Sequence, residues 1–310
     1  MKSNQSNIKK AKKYLNKNYC IGVPTETVYG LAGNAYSDIA VKKIFKLKKR
    51  PIKNPLIVHY LNINKLRKDC HVSDDFIKLY KKFCPGPITF ILKRKIKSQV
   101  KPIVTANLNT IAVRFPSHRI LRTILKNINF PLAMPSANVS SNVSPVRAED
   151  VADEFKKRLK FIINGGNSKI GIESTVIDLT GKPTILRPGI IGPEIINKIL
   201  KKKVNFIKNS SKIKSPGMLK KHYSPGIPIF LNQKPTEDQD AFITFGKKYK
   251  IKKNHFNLSR NSNLKEAASN LYRILRKIKK LKFKKIFVAA VPNKGPGIAI
   301  NDRLIRAAKK

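Results

Sequence analysis

Short apolar runs alternate with amphipathic segments along most of the chain. Over residues 1–200 the apolar runs have strand length and stop at a proline, a glycine or a polar loop. They predict strands at residues 20–23, 56–59, 88–92, 108–118, 130–135 and 161–164, and two more that end at Leu179 and Arg187. Apolar residues at helical spacing predict helices at residues 7–16, 38–46, 63–70, 73–83, 149–159 and 190–200. The alternation of strands and helices predicts an α/β fold.

The last third repeats this alternation on a smaller scale. Strands are predicted at residues 227–231, 241–245 and 286–291, a helix at 264–281, and a final helix after a loop at 292–302. Residues 201–214 are rich in Lys, Asn and Ser and poor in apolar residues, which is typical of a linker. We therefore expect a first domain at 1–203, a linker at 204–226 and a small parallel-sheet α/β domain at 227–310.

Composition bounds the class of protein. With 310 residues, 41% of them hydrophobic, the chain has enough apolar residues for ordinary globular cores. The formal net charge is +49, but the lysines occur in every segment, so compositional bias and binding of an anionic polymer both remain open. The N-terminal residues lack an apolar signal-peptide region and no run approaches membrane-spanning length, so we expect a soluble, cytoplasmic protein.

The three cysteines do not indicate a metal site. Cys20, Cys70 and Cys84 are odd in number and lack metal-ligand spacing. We expect reduced, buried or partly buried thiols and no zinc site.

Polar side chains collect in the loops at the ends of the predicted strands. The loops carry hydroxyls, cations and one histidine, namely Thr27, Thr110, Ser136, Ser144, Ser174, Lys48, Arg50, Arg114, Arg187 and His59. They contain no cysteine nucleophile, no Ser-His-Asp set and no paired carboxylates. The residue types predict an anion-binding pocket that acts by positioning and charge stabilisation.

Arg114 lies on a strand whose alternation places it on the same face as Thr110, so both are expected to point toward one pocket. A buried guanidinium requires an anionic partner, which is either a ligand or an internal carboxylate. We favour a ligand, because stability alone is a weak reason to bury a charge.

Several motifs together resemble one known family. They are PTETVYG at 24–30, K-x-R-P at 48–51, NPL at 54–56 before a strand ending in His59, SANVSSNVSP at 136–145, GIESTVID at 171–178 and ILRPG at 185–189. The pattern resembles the YrdC-like family of threonylcarbamoyl-AMP synthases. SPGMLKKHYSP at 215–225 and GPGIAINDRL at 295–304 resemble its two-domain members. Ser141 and Val146 depart from the usual Gly and Thr.

The resemblance implies a fold and a reaction. The fold is a twisted open mixed sheet with helices around a concave basic pocket, followed by a small Rossmann-like α/β domain. The family condenses L-threonine, bicarbonate and ATP into threonylcarbamoyl-AMP and pyrophosphate. A separate transferase then uses the product to modify tRNA. A Mg²⁺ ion is expected to share the neutralisation of the phosphates.

The resemblance also assigns residues. Lys48 and Arg50 are expected to stabilise the departing pyrophosphate. The residues expected to hold threonine are Thr27, His59, Arg114, Met134 and Ser174. Those expected around ATP are Arg50, Asn54, Thr110, Ser136, Ser144, Arg187 and Tyr223. A segment that only connects two domains does not need a pair of polar aromatic side chains such as His222 and Tyr223. We therefore expect the linker to fold over the pocket as a lid.

The competing hypothesis is a double-stranded RNA-binding module with a basic cavity. The net charge favours it and also leaves room for direct RNA contact by an enzyme. The interleaved hydroxyls and the lack of aromatic stacking platforms argue against it.

Overall fold

The computed structural model describes residues 2–206, 222–234 and 240–309. Its first part contains nine strands: β1 (Ile21–Val23), β2 (Gly30–Asn34), β3 (Ile57–His59), β4 (Ile88–Lys93), β5 (Thr110–Arg114), β6 (Leu132–Ala133), β7 (Thr175–Asp178), β8 (Thr184–Arg187) and β9 (Asn205–Phe206). Its helices are α1 (Lys2–Asn16), α2 (Asp38–Lys48), α3 (Ile63–Leu66), α4 (Asp74–Phe83), α5 (Arg119–Lys126), α6 (Ala148–Phe155) and α7 (Pro193–Leu200).

The nine strands form one mixed sheet in the order β1-β2-β6-β3-β5-β4-β7-β8-β9. Strands β3 and β5 are parallel, and their last residues, His59 and Arg114, are register partners. Strand β6 runs antiparallel beside β3 and pairs Leu132 with His59. The register therefore brings the polar ends of two parallel strands to the same edge of the sheet, where open α/β sheets bind ligands.

The alternation along β5 separates the core from the ligand-facing side of the sheet. Ile111 and Val113 are fully buried in the main apolar cluster, which also receives side chains from α2, α4 and α7. Ala112 belongs to a small second cluster with Ile57, Ile91, Val176 and Leu186. Because side chains alternate in direction along a strand, Arg114 shares the face of Ala112 and not that of the main core.

The last part of the chain forms a second, smaller sheet. Its strands are β10 (Ile229–Leu231), β11 (Ala241–Thr244), β12 (His255–Asn257) and β13 (Ile286–Val288), all parallel, in the order β10-β13-β11-β12. Its helices are α8 (Leu264–Lys280) and α9 (Pro296–Ala308). We call this part the C-terminal domain. The mixed α/β first sheet and the small parallel-sheet domain confirm the predicted fold class.

Residues from the first part of the chain contribute to the core of the C-terminal domain. The apolar cluster of the C-terminal domain includes Val28, Val143, Val146 and Ile172 from the first part of the chain. The loop before β7 approaches α8 so closely that a Cβ atom at Gly171 would collide with the backbone of Ser269. Gly171 also has φ +77°, a conformation that other residues adopt only with strain. The C-terminal domain is thus packed against loops of the first sheet.

Several predicted elements differ from the observed ones. Gly30–Asn34 is not among the predicted strands, but it forms β2, where the absent side chain of Gly30 leaves room for Met134. Residues 161–164 make only one isolated bridge, between Gly22 and Ile162. The helix predicted at 63–70 ends at Leu66. The loop predicted at 292–302 is wrong from Pro296 onward, because α9 begins there.

The remaining outcomes concern missed elements, the predicted linker, the cysteines and membrane-spanning helices. The sequence pattern missed α5, β9 and β12, and β9 pairs with β8 to extend the first sheet to residue 206, beyond the expected boundary at 203. The greater part of the predicted linker, residues 207–221, lies outside the described residues. The three cysteines are unpaired; Cys84 is partly buried and the other two are buried. Among the described helices, none is both long and apolar enough to cross a bilayer.

Candidate active site

One cavity lies at the edge of the sheet where β3, β5 and β8 end. Its walls come from the loop after β1, the segment after β6, the loop before β7 and residues 222–223. The described residues that line it are Thr25, Val28, Tyr29, Gly30, Arg50, Ile57, His59, Arg114, Met134, Pro135, Ser136, Glu173, Arg187, His222 and Tyr223. Three guanidinium groups from separate elements thus converge on one cavity.

Arg114 forms an internal ion pair at this cavity. Its Nη2 donates to Glu26 Oε1 at 2.7 Å, and both side chains are nearly fully buried. Glu26 Oε2 also accepts the backbone N–H of Ser117 at 3.2 Å. Burial would raise the pKa of Glu26, but Arg114 and these hydrogen bonds hold it below the ordinary value. Glu26 therefore fixes one edge of the guanidinium, and Arg114 still lines the cavity.

His59 lies beside Arg114 at the end of β3 and is 1% exposed. Burial, followed by the nearby Arg114 charge, lowers its pKa well below the ordinary value, so the imidazole is neutral at physiological pH. The Met134 side chain lies over Gly30 on the adjoining wall. A neutral imidazole beside a cation can orient a polar ligand without adding charge.

Lys48 is the last residue of α2 and Arg50 follows the helix, and both bind backbone carbonyl groups. Lys48 Nζ donates to the carbonyl of Ser136 at 2.6 Å and to that of Asn138 at 2.5 Å. Burial, followed by the Arg50 charge, lowers the pKa of Lys48 well below its ordinary value. Arg50 donates to the backbone and side-chain oxygens of Asn54 at 2.9 and 2.6 Å. Lys48 thereby anchors the Ser- and Asn-rich loop, and Asn54 orients Arg50.

Arg187 is the last residue of β8, and it donates to Ser174, whose hydroxyl is hydrogen-bonded to that of Thr89. Its Nε and Nη2 donate to the carbonyl and the Oγ of Ser174, both at 3.1 Å. Ser174 Oγ also lies 2.7 Å from Thr89 Oγ1. All three side chains are nearly or completely buried. Ser174 therefore holds the guanidinium that faces the cavity.

Glu173 lies in the cavity wall, and its carboxylate accepts hydrogen bonds from both parts of the chain. Its Oε1 accepts from Ser144 Oγ at 2.6 Å. Its Oε2 accepts from Tyr272 Oη at 2.8 Å and Arg303 Nε at 3.0 Å. Burial alone would raise the pKa of Glu173, but the charges of Arg303 and Arg187 and the Ser144 hydrogen bond lower it to about 2.

Residues 222–223 close one side of the cavity. The rings of His222 and Tyr223 lie 4.0 Å apart, and Tyr223 stacks on Tyr272 with ring centroids 5.7 Å apart. The next residue, Ser224, donates its N–H to the Ser141 carbonyl at 2.8 Å. Tyr223 is completely buried with φ +65°, and its hydroxyl has no hydrogen-bond partner among the described residues. Tyr223 also lines the cavity.

The structure brings most of the predicted site residues together. Those that line the cavity are Arg50, His59, Arg114, Met134, Ser136, Arg187 and Tyr223. Those that contact a lining residue directly are Lys48, Asn54, Ser144, Ser174 and Thr27, the last through a 2.9 Å contact between its hydroxyl and that of Thr25.

Thr110 is placed elsewhere. It begins β5, where it pairs with Lys93, whereas Arg114 ends the same strand at the cavity. Four residues of extended chain separate them by roughly 13 Å, so sharing a face did not bring them to one pocket.

Sequence reasoning missed four lining residues with polar side chains. Glu26, which does not line the cavity, was missed with them. Thr25 and Tyr29 lie in the PTETVYG motif, Glu173 lies in GIESTVID, and His222 was named only for the lid. The available signal was the position of Glu26 and Glu173 in loops that follow or precede strands. A carboxylate was not expected in a pocket built for anions, and only the contacts show that each carboxylate is paired.

Comparisons with known proteins agree over the whole chain. The Sua5, YciO and YrdC family model, described as telomere recombination, matches residues 13–189, and a model described as the threonylcarbamoyl-AMP synthase C-terminal domain matches residues 191–309. The threonylcarbamoyl-AMP synthase of Pyrococcus abyssi is 35% identical, covering 95% of this chain and 92% of its own length. This chain belongs to the threonylcarbamoyl-AMP synthase family. The Bacillus subtilis member is 34% identical over 99% of this chain and 94% of its own length.

Solved structures of the family show the same architecture. The crystal structure of P. abyssi Sua5 complexed with L-threonine aligns with a TM-score of 0.90 and 33% identity, covering 97% of this chain and 94% of that one. Escherichia coli YciO aligns with a TM-score of 0.53 and 26% identity over 59% of this chain. Family members therefore occur with the first domain alone and with both domains.

Proposed function

We propose that this protein is an L-threonylcarbamoyladenylate synthase, which condenses L-threonine, bicarbonate and ATP into threonylcarbamoyl-AMP and pyrophosphate. The observation that carries the proposal is the convergence of Arg50, Arg114 and Arg187 on one cavity, in a chain of which 95% or more matches named synthases. An anionic substrate, an anionic nucleotide and an anionic leaving group all suit such a cavity.

In the proposed reaction the threonine amine bonds to the carbon of bicarbonate, water is lost, and a carbamate forms. A carbamate oxygen then attacks the α-phosphorus of ATP. The bond from that phosphorus to the bridging oxygen breaks, and pyrophosphate leaves with the negative charge. The protein's contribution is to orient the three reactants and to offset this charge, since the cavity offers no thiol or activated serine among its described lining residues.

The threonine subsite is proposed at the β3 and β5 end of the cavity. Arg114, oriented by Glu26, is assigned to the threonine carboxylate because a guanidinium binds a carboxylate with two parallel hydrogen bonds. The neutral imidazole of His59 and the wall around Met134 adjoin it. Thr27 and Ser174 are assigned to the same subsite through the residues they contact, Thr25 and Arg187.

The nucleotide is proposed to occupy the side bounded by Arg50, Arg187 and Tyr223. Burial lowers the pKa of Arg50 to about 9, which leaves it protonated at neutral pH and able to offset phosphate charge. Lys48 and Asn54 are assigned supporting roles because they hold the Ser136 segment and Arg50. The Ser144 hydroxyl donates a hydrogen bond to Glu173 in this structure. It must rotate away from Glu173 before it can donate to an ATP oxygen. Thr110 is also assigned to ATP, and it begins β5, at the opposite end of the strand from Arg114.

Mg²⁺ is proposed as a companion of the ATP phosphates. Within the described ranges, no group of three or more His, Cys, Asp or Glu side chains could hold a metal ion. Mg²⁺ usually retains several waters and binds substrate phosphates with few protein ligands, so this arrangement fits an ion carried by the nucleotide. We assign it no protein ligand.

Two further parts of the proposal concern the surroundings of the reaction. The buried positions of His222 and Tyr223 at the cavity support closure by the segment that carries them, which would keep water from the carbamate and the mixed anhydride. The product is proposed to pass to a threonylcarbamoyl transferase that acts on tRNA, in the cytoplasm. The RNA-binding module is not favoured, because whole-length relatives carry the synthase name.

Pyrophosphate release measured with each reactant omitted in turn tests the proposal. We expect release that requires ATP, threonine and bicarbonate together. Release that is indifferent to threonine would remove the synthase assignment. Binding of duplex RNA that falls steeply with salt, without any threonine-dependent turnover, would favour the RNA-binding module instead.

A further inference from the structure

The C-terminal domain binds one carboxylate of the cavity wall, that of Glu173. Arg303, on α9, and Tyr272, on α8, both donate to Glu173 Oε2, at 3.0 and 2.8 Å. Glu173 lines the cavity, whereas Arg303 and Tyr272 are not among the described residues that line it. The two helices therefore contact residues of the cavity wall, of which Glu173 is the charged one.

Glu173 is electrostatically out of place in a cavity for a polyphosphate. A carboxylate in a buried wall repels an anionic ligand, and the repulsion is strong where water is excluded. Arg303 supplies the compensating charge: its side chain is completely buried, and its Nε contacts the carboxylate at 3.0 Å. Its Nη1 also pairs with Asp302 at 2.7 Å, and Asp302 pairs in turn with Arg306 at 3.0 Å. Arg187 adds a second positive charge on the cavity side. The pairing with Arg303 therefore offsets the negative charge of Glu173 in this part of the wall.

The same two residues support the segment that closes the cavity. The Arg303 guanidinium carbon lies 5.2 Å from the centre of the Tyr223 ring. The Tyr272 ring stacks on the Tyr223 ring, with the two ring centroids 5.7 Å apart. A cation over an aromatic face and a stacked ring both fix the plane of Tyr223. Charge compensation and positioning of Tyr223 thus come from one cluster, Glu173, Tyr223, Tyr272 and Arg303.

We propose that Arg303 and Tyr272 of the C-terminal domain are positioning residues for ATP, which hold and neutralise Glu173 so that the wall accepts the nucleotide. The inference rests on the proposed function for the identity of the anion. It gives the C-terminal domain a defined part in the reaction, in nucleotide affinity more than in threonine affinity, because the Arg114 guanidinium assigned to the threonine carboxylate is held by Glu26 at the end of β5.

The test compares ATP and threonine KM values, measured by pyrophosphate release, in full-length variants. For Arg303→Met we expect an ATP KM raised at least 10-fold and a threonine KM changed less than 3-fold. The double variant Arg303→Met with Glu173→Gln removes both charges, so we expect it to recover most of the lost ATP affinity. Lys280→Met is the matched control, because it breaks the exposed interdomain pair with Asp153, 2.7 Å long, away from Glu173.

A milder variant separates a loss of ATP affinity from misfolding of Arg303→Met. Tyr272→Phe removes only the hydroxyl that binds Glu173 and keeps the ring against Tyr223, so we expect a 2- to 5-fold rise in ATP KM with an unchanged melting profile. Unchanged ATP KM in both single variants, equal weakening of ATP and threonine, or a double variant no better than Arg303→Met would each overturn the inference. Lack of threonine-dependent turnover in the unaltered protein would instead overturn the proposed function.

Discussion

At the scale of single residues, the site is a set of paired charges. Arg114 is paired with Glu26, and Arg303 with Glu173, and each pair is largely withdrawn from water. Removing one member of such a pair leaves the other buried without a partner, which costs more than the pair contributes. The effects of substitutions here should therefore depend on which member is removed.

Arg114→Ala should weaken threonine binding far more than ATP binding. The lost ion pair with the ligand carboxylate is worth about 2–5 kcal/mol, by the cost of truncating buried charged partners. Calorimetric titration with each ligand measures both affinities. Glu26→Gln is the control: it keeps the guanidinium but loosens its orientation, so a smaller loss is expected. Equal weakening of both ligands by Arg114→Ala would contradict the assignment.

The stability contribution of Glu173 should depend on pH. Its pKa falls from an ordinary value of 4.5 to about 2 on folding, so its stabilising effect is complete above about pH 4.5 and is lost as pH falls toward 2. The shift corresponds to roughly 3 kcal/mol at neutral pH.

Urea unfolding of the parent protein and Glu173→Gln from pH 7 to pH 3 tests this dependence. The difference in unfolding free energy between them should narrow as pH falls. Glu194→Gln, at an exposed glutamate, should show a small difference throughout. A Glu173→Gln difference that is constant with pH would mean that the carboxylate charge does not stabilise the fold.

At the scale of elements, loops of the first sheet are held by groups from outside it. The loop before β7 is pressed against α8 at Gly171, and the loop after β6 is anchored by Lys48 at the end of α2. Their backbone hydrogen bonds are single pairs outside the named strands, such as those from Gly171 N–H to the Thr27 carbonyl at 3.1 Å and from Ala137 N–H to the Tyr29 carbonyl at 2.8 Å. Their conformations therefore depend on these individual contacts.

Gly171→Ala should destabilise the protein more than Gly166→Ala. Both glycines have φ +77°, so both substitutions carry the strain of that conformation, about 1 kcal/mol. The added Cβ meets nothing within 4 Å at Gly166, but it collides with the Ser269 backbone at Gly171. Overpacking adds about 1–3 kcal/mol. Thermal or denaturant melting compares the two, and equal losses would mean that the loop and α8 do not pack as described.

Lys48→Ala should lower turnover more than threonine affinity. The Lys48 ammonium group holds the carbonyls of Ser136 and Asn138, and so places the Ser136 segment in the cavity wall on the nucleotide side. Steady-state kinetics separates kcat from the threonine KM. Lys46→Ala, at an exposed lysine of the same helix, is the control. Unchanged kcat in Lys48→Ala would remove this residue from the reaction.

At the scale of the whole molecule, the two parts share apolar and ionic contacts. A fragment of residues 1–206 keeps the nine-stranded sheet and its main core, so we expect it to melt cooperatively. It loses Arg303, Tyr272 and Tyr223, and it exposes the apolar residues that pack on the C-terminal domain. We expect lower stability, weaker ATP binding and little intact threonylcarbamoyl-AMP.

Product yield and ATP affinity of the purified fragment, compared with those of the full chain, check this expectation. Adding Glu173→Gln to the fragment should recover part of the ATP affinity, because it removes the uncompensated charge. A fragment equal to the full chain in both quantities would mean that the C-terminal domain and residues 222–223 take no part in the reaction.

The sequence by itself determined the fold class and the family, and it named several of the residues that line the candidate cavity. Hydrophobic periodicity located the strands that end at His59, Arg114 and Arg187, and the motifs named the residues around them, because both signals are local in the chain. Element boundaries were less well predicted where the local pattern was ambiguous. Gly30 has no side chain that favours a strand, and β2 forms because β1 and β6 pair with it from either side.

Tertiary structure alone decided how the charges are paired. Glu26 meets Arg114 across 88 residues of sequence, and Arg303 meets Glu173 across 130, so no spacing rule could connect them. Thr110 shows the converse, because a shared strand face was read as a shared pocket although the strand carries the two side chains apart. Burial makes these pairings decisive: a charge withdrawn from water must find its partner wherever the fold places one.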